Sequence, residues 1–135
     1  MKKTNTYYIV DDDIDDQQFL IEALTESDPS AQCFTATKGQ DAIEHLQKAE
    51  TLLPDAIFLD LNMPGINGKQ CLAELKQISS LQQIPIIIYS TSSNKRDIQE
   101  TMQLGASYFL VKQNSYKELC EALATIISVI NNVES

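Results

Sequence analysis

The sequence contains few cysteines: three among 135 residues, at Cys33, Cys71 and Cys120. They are an odd number, lie far apart and each fall within an apolar stretch. This arrangement fits neither a disulfide framework nor a zinc site, since both need paired or closely spaced ligands. We therefore interpret the three cysteines as reduced thiols in the core.

Long apolar runs and positive charge are also scarce. No apolar run approaches the roughly 20 residues that a membrane helix needs, and residues 1–7 lack the apolar core of a signal peptide. Ten Lys and Arg residues stand against 19 Asp and Glu, and the resulting charge of −9 disfavours binding to a phosphate backbone. We expect a cytoplasmic protein with no membrane insertion and no direct nucleic-acid binding.

The length and composition predict a single domain. With 43% hydrophobic residues the chain can bury one core, and no linker, internal repeat or low-complexity tract divides it. We expect the domain to span residues 1–135, with its core at about 6–131 and no output domain. Any signal would then leave through the surface of this domain.

Short apolar runs alternate with segments of helical period along the chain, which indicates five βα units. The predicted strands are 7–10, 32–37, 56–61, 84–89 and 108–111. Strands that are apolar throughout are buried on both faces, as in a parallel sheet covered by helices. We therefore predict an α/β fold, a doubly wound five-stranded parallel sheet with five helices. In the polar fourth helix, at 92–104, we interpret Ile98 and Met102 as core residues.

Polar residues stand at the ends of four predicted strands. They are Asp11, Asp12 and Asp13 after the first, Asp60 and Asn62 at the third, Ser90 after the fourth and Lys112 after the fifth. Doubly wound folds place their sites beyond these strand ends, so we expect the side chains to converge. Two carboxylates about 4 Å apart repel by on the order of 4 kcal/mol at an effective dielectric of 20. A hard cation such as Mg²⁺ would relieve that repulsion.

Taken singly, each of these residues has an ordinary interpretation. An Asp at a strand end is commonly a turn former or a helix N-terminal anion, a Ser a helix cap and a Lys a solvated charge. Their occurrence together at the ends of four strands favours a shared site. We interpret Asp13, Asp15 and Asp16 as capping and solvated charge at the start of the first helix.

This pattern of residues at the strand ends resembles that of the response-regulator receiver family, of the chemotaxis-regulator type. The pair Asp11-Asp12 follows the first strand, and the segment 60–64 reads DLNMP after the third. Ser90 lies 30 positions after Asp60, and Lys112 lies 22 positions after Ser90. The resemblance covers essentially the whole chain and implies the flavodoxin-like fold of receivers.

The resemblance also implies a phosphorylation switch of two-component signalling. Asp60 would accept a phosphoryl group from a sensor histidine kinase, a histidine phosphotransfer protein or a small phosphodonor, and carry it as an acyl phosphate. Asp12 would hold Mg²⁺, helped through water by Asp11. Asp60 and the backbone carbonyl of Asn62 would complete the protein ligands.

Three further residues receive roles from the resemblance. Lys112 would pair with Asp60 and then with the phosphoryl group. Ser90 would donate its hydroxyl to a phosphoryl oxygen and draw in the loop before the fourth helix. Phe109 matches the switch aromatic of the family, although a simple packing ring is an equal alternative. The switched surface would serve a downstream protein target that the sequence does not identify.

Gln113 departs from the family, in which proline commonly follows the lysine. We expect a trans peptide between Lys112 and Gln113, because a cis bond before a non-proline residue costs roughly 2.5 to 4 kcal/mol.

The resemblance also places Ser92 and Asn62 beside the path of the water that would hydrolyse the acyl phosphate.

Three other classes of protein are weaker alternatives. A calcium-binding EF-hand matches Asp11, Asp13, Asp15 and Glu22, but Asp16 stands where its loop needs glycine. A hydrolase with an aspartyl-phosphate intermediate needs a second acid where Asn62 stands, so we expect no turnover of external substrates. A receiver-like module that only binds proteins, independently of phosphorylation, ranks second to the switch, because it would have no need of the complete residue set.

Overall fold

Strands and helices alternate throughout the part of the chain that the computed structural model describes, residues 4–48, 53–112 and 115–134. The strands are β1 (Thr6–Val10), β2 (Gln32–Ala36), β3 (Ala56–Leu59), β4 (Ile86–Ser90) and β5 (Tyr108–Val111). The α-helices are α1 (Ile14–Ser27), α2 (Gly39–Gln47), α3 (Gly68–Lys76), α4 (Lys95–Gln103) and α5 (Tyr116–Glu134), with a short 3-10 helix at Ser79–Leu81. The predicted order of elements is confirmed.

All five strands are parallel and lie in the order β2-β1-β3-β4-β5. The chain places β2 on one side of β1 and the remaining strands on the other. The strand order therefore reverses between β1 and β3, and the carboxyl ends of these two strands border the crevice where doubly wound folds place their sites. The predicted doubly wound, flavodoxin-like fold is confirmed.

Two apolar layers cover the sheet. Successive residues of a strand face opposite sides, so in β1 Tyr8 and Val10 join the cluster under α2 and α3, while Tyr7 and Ile9 join the cluster under α1 and α5. The strands β1, β3 and β4 are buried at every position, as their apolar sequences predict. The edge strand β2 is partly exposed, because one side of it has no neighbouring strand.

The fourth helix differs from its prediction. It begins at Lys95 rather than at residue 92, and Asn94 caps it with a side chain that accepts a backbone hydrogen bond. Met102 is 43% exposed, so its assignment to the core was wrong. The buried position is the neighbouring Thr101, and successive helical residues point about 100° apart. Ile98 is half-buried.

A buried polar network closes the end of the sheet opposite the carboxyl ends of the strands. The Asn5 amide donates hydrogen bonds to Asp28 and to Asn131, each at 3.0 Å. The Tyr7 hydroxyl donates to the same Asp28 carboxylate at 2.9 Å. Burial, reinforced by the nearby Asp28, raises the pKa of Tyr7, which keeps its hydroxyl a donor. The network joins the start of β1, the end of α1 and the last turns of α5.

The cysteines are free thiols, as predicted. Cys71 is fully buried, while Cys33 and Cys120 are half-buried at the margin of the cluster under α1 and α5. Among the described residues, no helix is both long enough and apolar enough to span a membrane.

Candidate functional site

Asp11, Asp12 and Asp60 meet at the carboxyl edge of the sheet. Asp11 and Asp60 directly follow the paired strands β1 and β3, and the backbone N–H of Asp60 donates to the carbonyl of Val10 at 2.9 Å. One carboxylate oxygen from each of the three acids lies within 4.8 Å of the others. Asp11 and Asp60 are buried and Asp12 is exposed. The predicted convergence of these side chains is observed.

Lys112 supplies a positive charge to this cluster. Its Nζ lies 2.8 Å from an oxygen of Asp11 and 3.4 Å from an oxygen of Asp60. It also lies over the ring of Tyr89, 5.4 Å from the centroid. Its side chain is only 10% exposed, so the charge acts in a poorly solvated environment and not as the solvated charge of a surface lysine.

Asp16 also binds Lys112, which corrects its interpretation as solvated charge. Its carboxylate lies 2.8 Å from the Nζ, as close as that of Asp11. Asp16 stands in the first turn of α1, which Asp13 caps by accepting the backbone N–H of Asp16 at 3.1 Å. The capping prediction for Asp13 is therefore confirmed.

A signal for Asp16 was present in the sequence. Side chains on a helix tilt towards its N-terminus, so a first-turn acid on the helix after β1 points back towards the strand ends.

Burial of the site disfavours the charged form of its two buried acids, Asp11 and Asp60. Burial raises the pKa of Asp11 to about 6, although hydrogen bonding and the charge of Lys112 oppose the rise. Burial also raises the pKa of Asp60, against the attraction of Lys112. For Lys112, burial lowers the pKa, but the hydrogen bonds to Asp11 and Asp16, together with the charges of the nearby carboxylates, raise it by more than burial lowers it. The net pKa is raised, so Lys112 stays protonated. One ammonium thus faces three carboxylates, those of Asp11, Asp16 and Asp60, and Asp12 adds a fourth acid, so the site is short of positive charge.

The donor set fits a hard divalent cation. Carboxylate oxygens are the ligands that Mg²⁺ and Mn²⁺ accept readily, and three of them already lie within reach of one ion. The exposure of Asp12 leaves one side of the cluster open to the waters that Mg²⁺ retains. The Asn62 N–H donates to the Asp60 carboxylate at 3.3 Å, so the chain turns tightly after Asp60 and keeps Asn62 beside it.

Gly68 holds the backbone of the acidic strand end in place. Its N–H donates to the carbonyl of Leu61 at 3.0 Å. A Cβ at this position would lie 2.3 Å from the Cα of Leu61 and 2.5 Å from the carbonyl oxygen of Asp60. Only glycine allows α3 to start so close to the residue after β3.

Ser90 lies beside the cluster at the end of β4. It is completely buried, and its carbonyl accepts the N–H of Lys112 at 2.7 Å, which holds the two residues side by side. The Ser90 hydroxyl oxygen accepts the N–H of Ser92 at 3.3 Å. Ser92 in turn donates its hydroxyl to Asp97 on α4 at 2.6 Å. The residues after β4 are thus tied to both Ser90 and α4.

An ion-pair network, which we call the α3–α4 clamp, continues from Asp97. Lys69 on α3 lies 2.7 Å from Asp97 and 2.6 Å from Glu100 on α4. Glu100 also pairs with Arg96 at 2.7 Å. The clamp joins the helix that follows Asp60 to the helix that follows Ser90.

Phe109 belongs to the apolar layer of the sheet. It is half-buried on β5 and packs against the apolar layer under α2 and α3. Packing is therefore its role in this conformation, and its role as a switch stays a prediction. The peptide between Lys112 and Gln113 lies outside the described residues.

Comparison with known proteins agrees with this geometry. The family model of the response regulator receiver domain matches residues 8–124. The chain belongs to the response regulator receiver family. Response regulator Rcp1 of Synechocystis sp. is 30% identical to this receiver over 124 residues, which cover 89% of this chain and 84% of Rcp1.

Solved structures of response regulators share the fold of this receiver. The phosphorylated cyanobacterial phytochrome response regulator RcpA superposes with a TM-score of 0.83 at 30% identity, covering 92% of this chain and 91% of RcpA. The Mn²⁺-bound form of Rcp1 gives 0.79 at 30% identity, covering 92% of each chain. Receiver domains bind divalent metal ions, and the acidic cluster of this receiver fits that property.

Some relatives are much longer than this receiver. A protein-glutamate methylesterase/protein-glutamine glutaminase of Methanosarcina acetivorans is 30% identical over 90% of this chain, but the chain spans only 35% of that enzyme. The enzymatic activity in that name thus belongs to a protein about three times as long. Rcp1, which this receiver matches over most of its length, is a response regulator.

Proposed function

We propose that this receiver domain is a phosphorylation switch that accepts a phosphoryl group on Asp60 in a Mg²⁺-dependent reaction. The observation that carries the proposal is the pairing of a buried Asp60 with both neighbouring acids and Lys112. The acids provide a place for the metal ion, and the ammonium faces the carboxylate that would be modified. The donor would be a sensor histidine kinase or a histidine phosphotransfer protein.

In the proposed reaction, a carboxylate oxygen of Asp60 bonds to phosphorus while the bond from phosphorus to the histidine nitrogen of the donor breaks. The electron pair of that bond stays on the nitrogen, which takes up a proton. Asp12 and Asp60, the carbonyl of Asn62 and, through water, Asp11 would hold Mg²⁺. The bound ion supplies positive charge for the phosphoryl oxygens.

The residues around Asp60 would then stabilise the product. Lys112 already lies 3.4 Å from the acceptor carboxylate and can donate to a phosphoryl oxygen with little movement. The Ser90 hydroxyl, whose oxygen accepts the Ser92 N–H, would turn to donate its own proton to another phosphoryl oxygen. Because Ser92 is hydrogen-bonded both to Ser90 and to α4, this movement would shift the surface formed by that helix. The moved surface would bind a downstream protein target.

The same site supports regulation rather than turnover of external substrates. Two residues after the acceptor, where a hydrolase would need a general acid, the chain has Asn62. The acyl phosphate would therefore be hydrolysed slowly by water, and its lifetime would set the duration of the signal.

The test is intact mass of the protein and of Asp60→Asn after incubation with a small phosphodonor, with and without Mg²⁺. We expect one phosphoryl adduct, on the native sequence only, that needs Mg²⁺ and is removed by hydroxylamine. Absence of an adduct with small donors and with histidine kinases would favour the phosphorylation-independent interaction module instead.

A further inference from the structure

Asp16 is the one carboxylate partner of Lys112 in the described structure that lies outside the acidic cluster. Its carboxylate approaches the Nζ to 2.8 Å, equal to Asp11 and closer than Asp60. Its position is fixed, because its backbone N–H is held by the Asp13 cap at the start of α1. The Asp16 side chain is 39% exposed, whereas those of Asp11 and Asp60 are only 2% and 7% exposed.

The three carboxylate partners of Lys112 differ in whether they would also bind a divalent cation. An ammonium has three N–H donors, and in this structure three carboxylates accept them. Asp11 and Asp60 are also among the acids that can hold a divalent cation. A bound cation competes for their oxygens and repels the ammonium. Asp16 stands apart from that set and keeps its oxygens for Lys112.

We propose that Asp16 is a positioning residue that keeps the Lys112 ammonium beside Asp60 while Mg²⁺ occupies the acidic cluster. This inference rests on the proposed function. Without Asp16, the charge of the cation would push the ammonium towards solvent. Among the described residues, no other carboxylate outside the acidic cluster pairs with this long flexible side chain to hold it. Lys112 would then meet the phosphoryl group in only a fraction of encounters.

The matched control is Asp15, which lies in the same first turn of α1 and is exposed. Asp15→Asn and Asp16→Asn make the same change in charge at the same helix terminus. A general effect of a first-turn anion on α1 would be the same for both variants. The contact with Lys112 belongs to Asp16 alone of the two.

The first experiment needs no phosphodonor. In ¹H–¹⁵N NMR with saturating Mg²⁺, the Lys112 ammonium, assigned by its loss in Lys112→Ala, should give a signal protected from solvent exchange. We expect Asp16→Asn to lose this signal, Asp15→Asn to keep it and Asp16→Glu to recover part of it. A protected signal of unchanged intensity in Asp16→Asn would overturn the proposal.

The second experiment measures initial rates of Asp60 phosphorylation by acetyl phosphate at saturating Mg²⁺. We expect Asp16→Asn to be slower by on the order of tenfold, the size expected when a hydrogen bond to a charged group is lost. Asp15→Asn should match the native rate. In a Lys112→Ala background, Asp16→Asn should have no further effect, since the two residues act through one contact.

The outcomes separate this proposal from the function on which it rests. Rates of Asp16→Asn equal to those of Asp15→Asn, with phosphorylation of the native sequence intact, would overturn the role of Asp16 and leave the switch standing. No adduct on the native sequence would overturn both.

Discussion

Gly68 matters because it has no Cβ atom. Replacing Gly by Ala at the start of a helix ordinarily favours the helix by up to about 1 kcal/mol. Here the added Cβ would overlap the backbone around Leu61, and backbone, unlike a side-chain end, has no rotamer in which to move away. The steric effect must therefore exceed the gain in helix propensity.

We predict that Gly68→Ala lowers the free energy of unfolding by about 1 to 3 kcal/mol, as overpacking commonly does. Urea denaturation measures the change. Gly39→Ala is the control, because the Cβ there would meet side-chain atoms rather than backbone, first the γ2 methyl of Ile66 at 2.8 Å. Equal losses in the two variants would show that the contact with the Asp60 strand end is not special.

Asp11 is a residue whose charge opposes folding when no metal ion is bound. Its pKa is about 6 in the folded protein, above the ordinary value of 3.8. The folded state therefore holds the proton more strongly than the unfolded state between about pH 4 and pH 6. The stability of the metal-free protein falls as the pH rises through that window.

We predict that Asp11→Asn stabilises the metal-free protein at pH 7 by on the order of 1 kcal/mol. The amide keeps the size of the side chain and can still accept the N–H of Asp13. Urea denaturation in EDTA at pH 7 and pH 4 tests this, and the gain should nearly vanish at pH 4. A gain of equal size at both pH values would contradict the electrostatic cause.

At the scale of whole elements, the sequence predicted strands better than helix faces. The central strands were readable because each is apolar throughout and bounded by polar residues. The same strand ends predicted which acids would meet, since parallel strands end at one edge of the sheet. Met102 was misplaced because its apolar character does not say which face of α4 meets the sheet. Asp16 was missed because its contact joins the first and last βα units.

The α3–α4 clamp connects two helices, and no pattern in the sequence predicted it. Its three ion pairs are partly exposed, and exposed pairs contribute little to global stability. Its effect should instead be local, because Lys69 joins α3 to the same Asp97 that holds Ser92. The clamp thus restrains the segment that follows Ser90.

We predict that Lys69→Gln speeds hydrogen exchange in residues 91–104 while changing the melting temperature only slightly. Lys117→Gln, a change of the same charge at an exposed position on α5, is the control and should leave exchange in 91–104 unchanged. Hydrogen exchange followed by mass spectrometry reads both variants. Uniformly faster exchange over the whole chain would indicate global destabilisation and contradict a local restraint.

At the scale of the whole molecule, a net charge of −9 makes every acidic surface attract cations weakly. A specific site must therefore be separated from general screening. The carboxylates at the strand ends differ from scattered surface acids because three of them share one small volume.

We predict that Mg²⁺ raises the melting temperature by mass action, with stabilisation of about 2.7 kcal/mol at 100 times the dissociation constant. Asp12→Asn should lose most of this response while folding normally, since Asp12 is exposed. Thermal unfolding with MgCl₂ and with NaCl at equal ionic strength measures it. A response of the same size in Asp12→Asn would mean that Mg²⁺ acts by screening alone.

The buried network around Asn5 has a consequence for how such a domain fits into other proteins. The amide of Asn5, just before β1, donates to Asn131, near the end of α5, at 3.0 Å. The polypeptide therefore enters and leaves the fold at neighbouring points, on the side away from the acidic cluster. A unit of this shape can be spliced into a host chain with little distortion, because the host's broken ends stay close together.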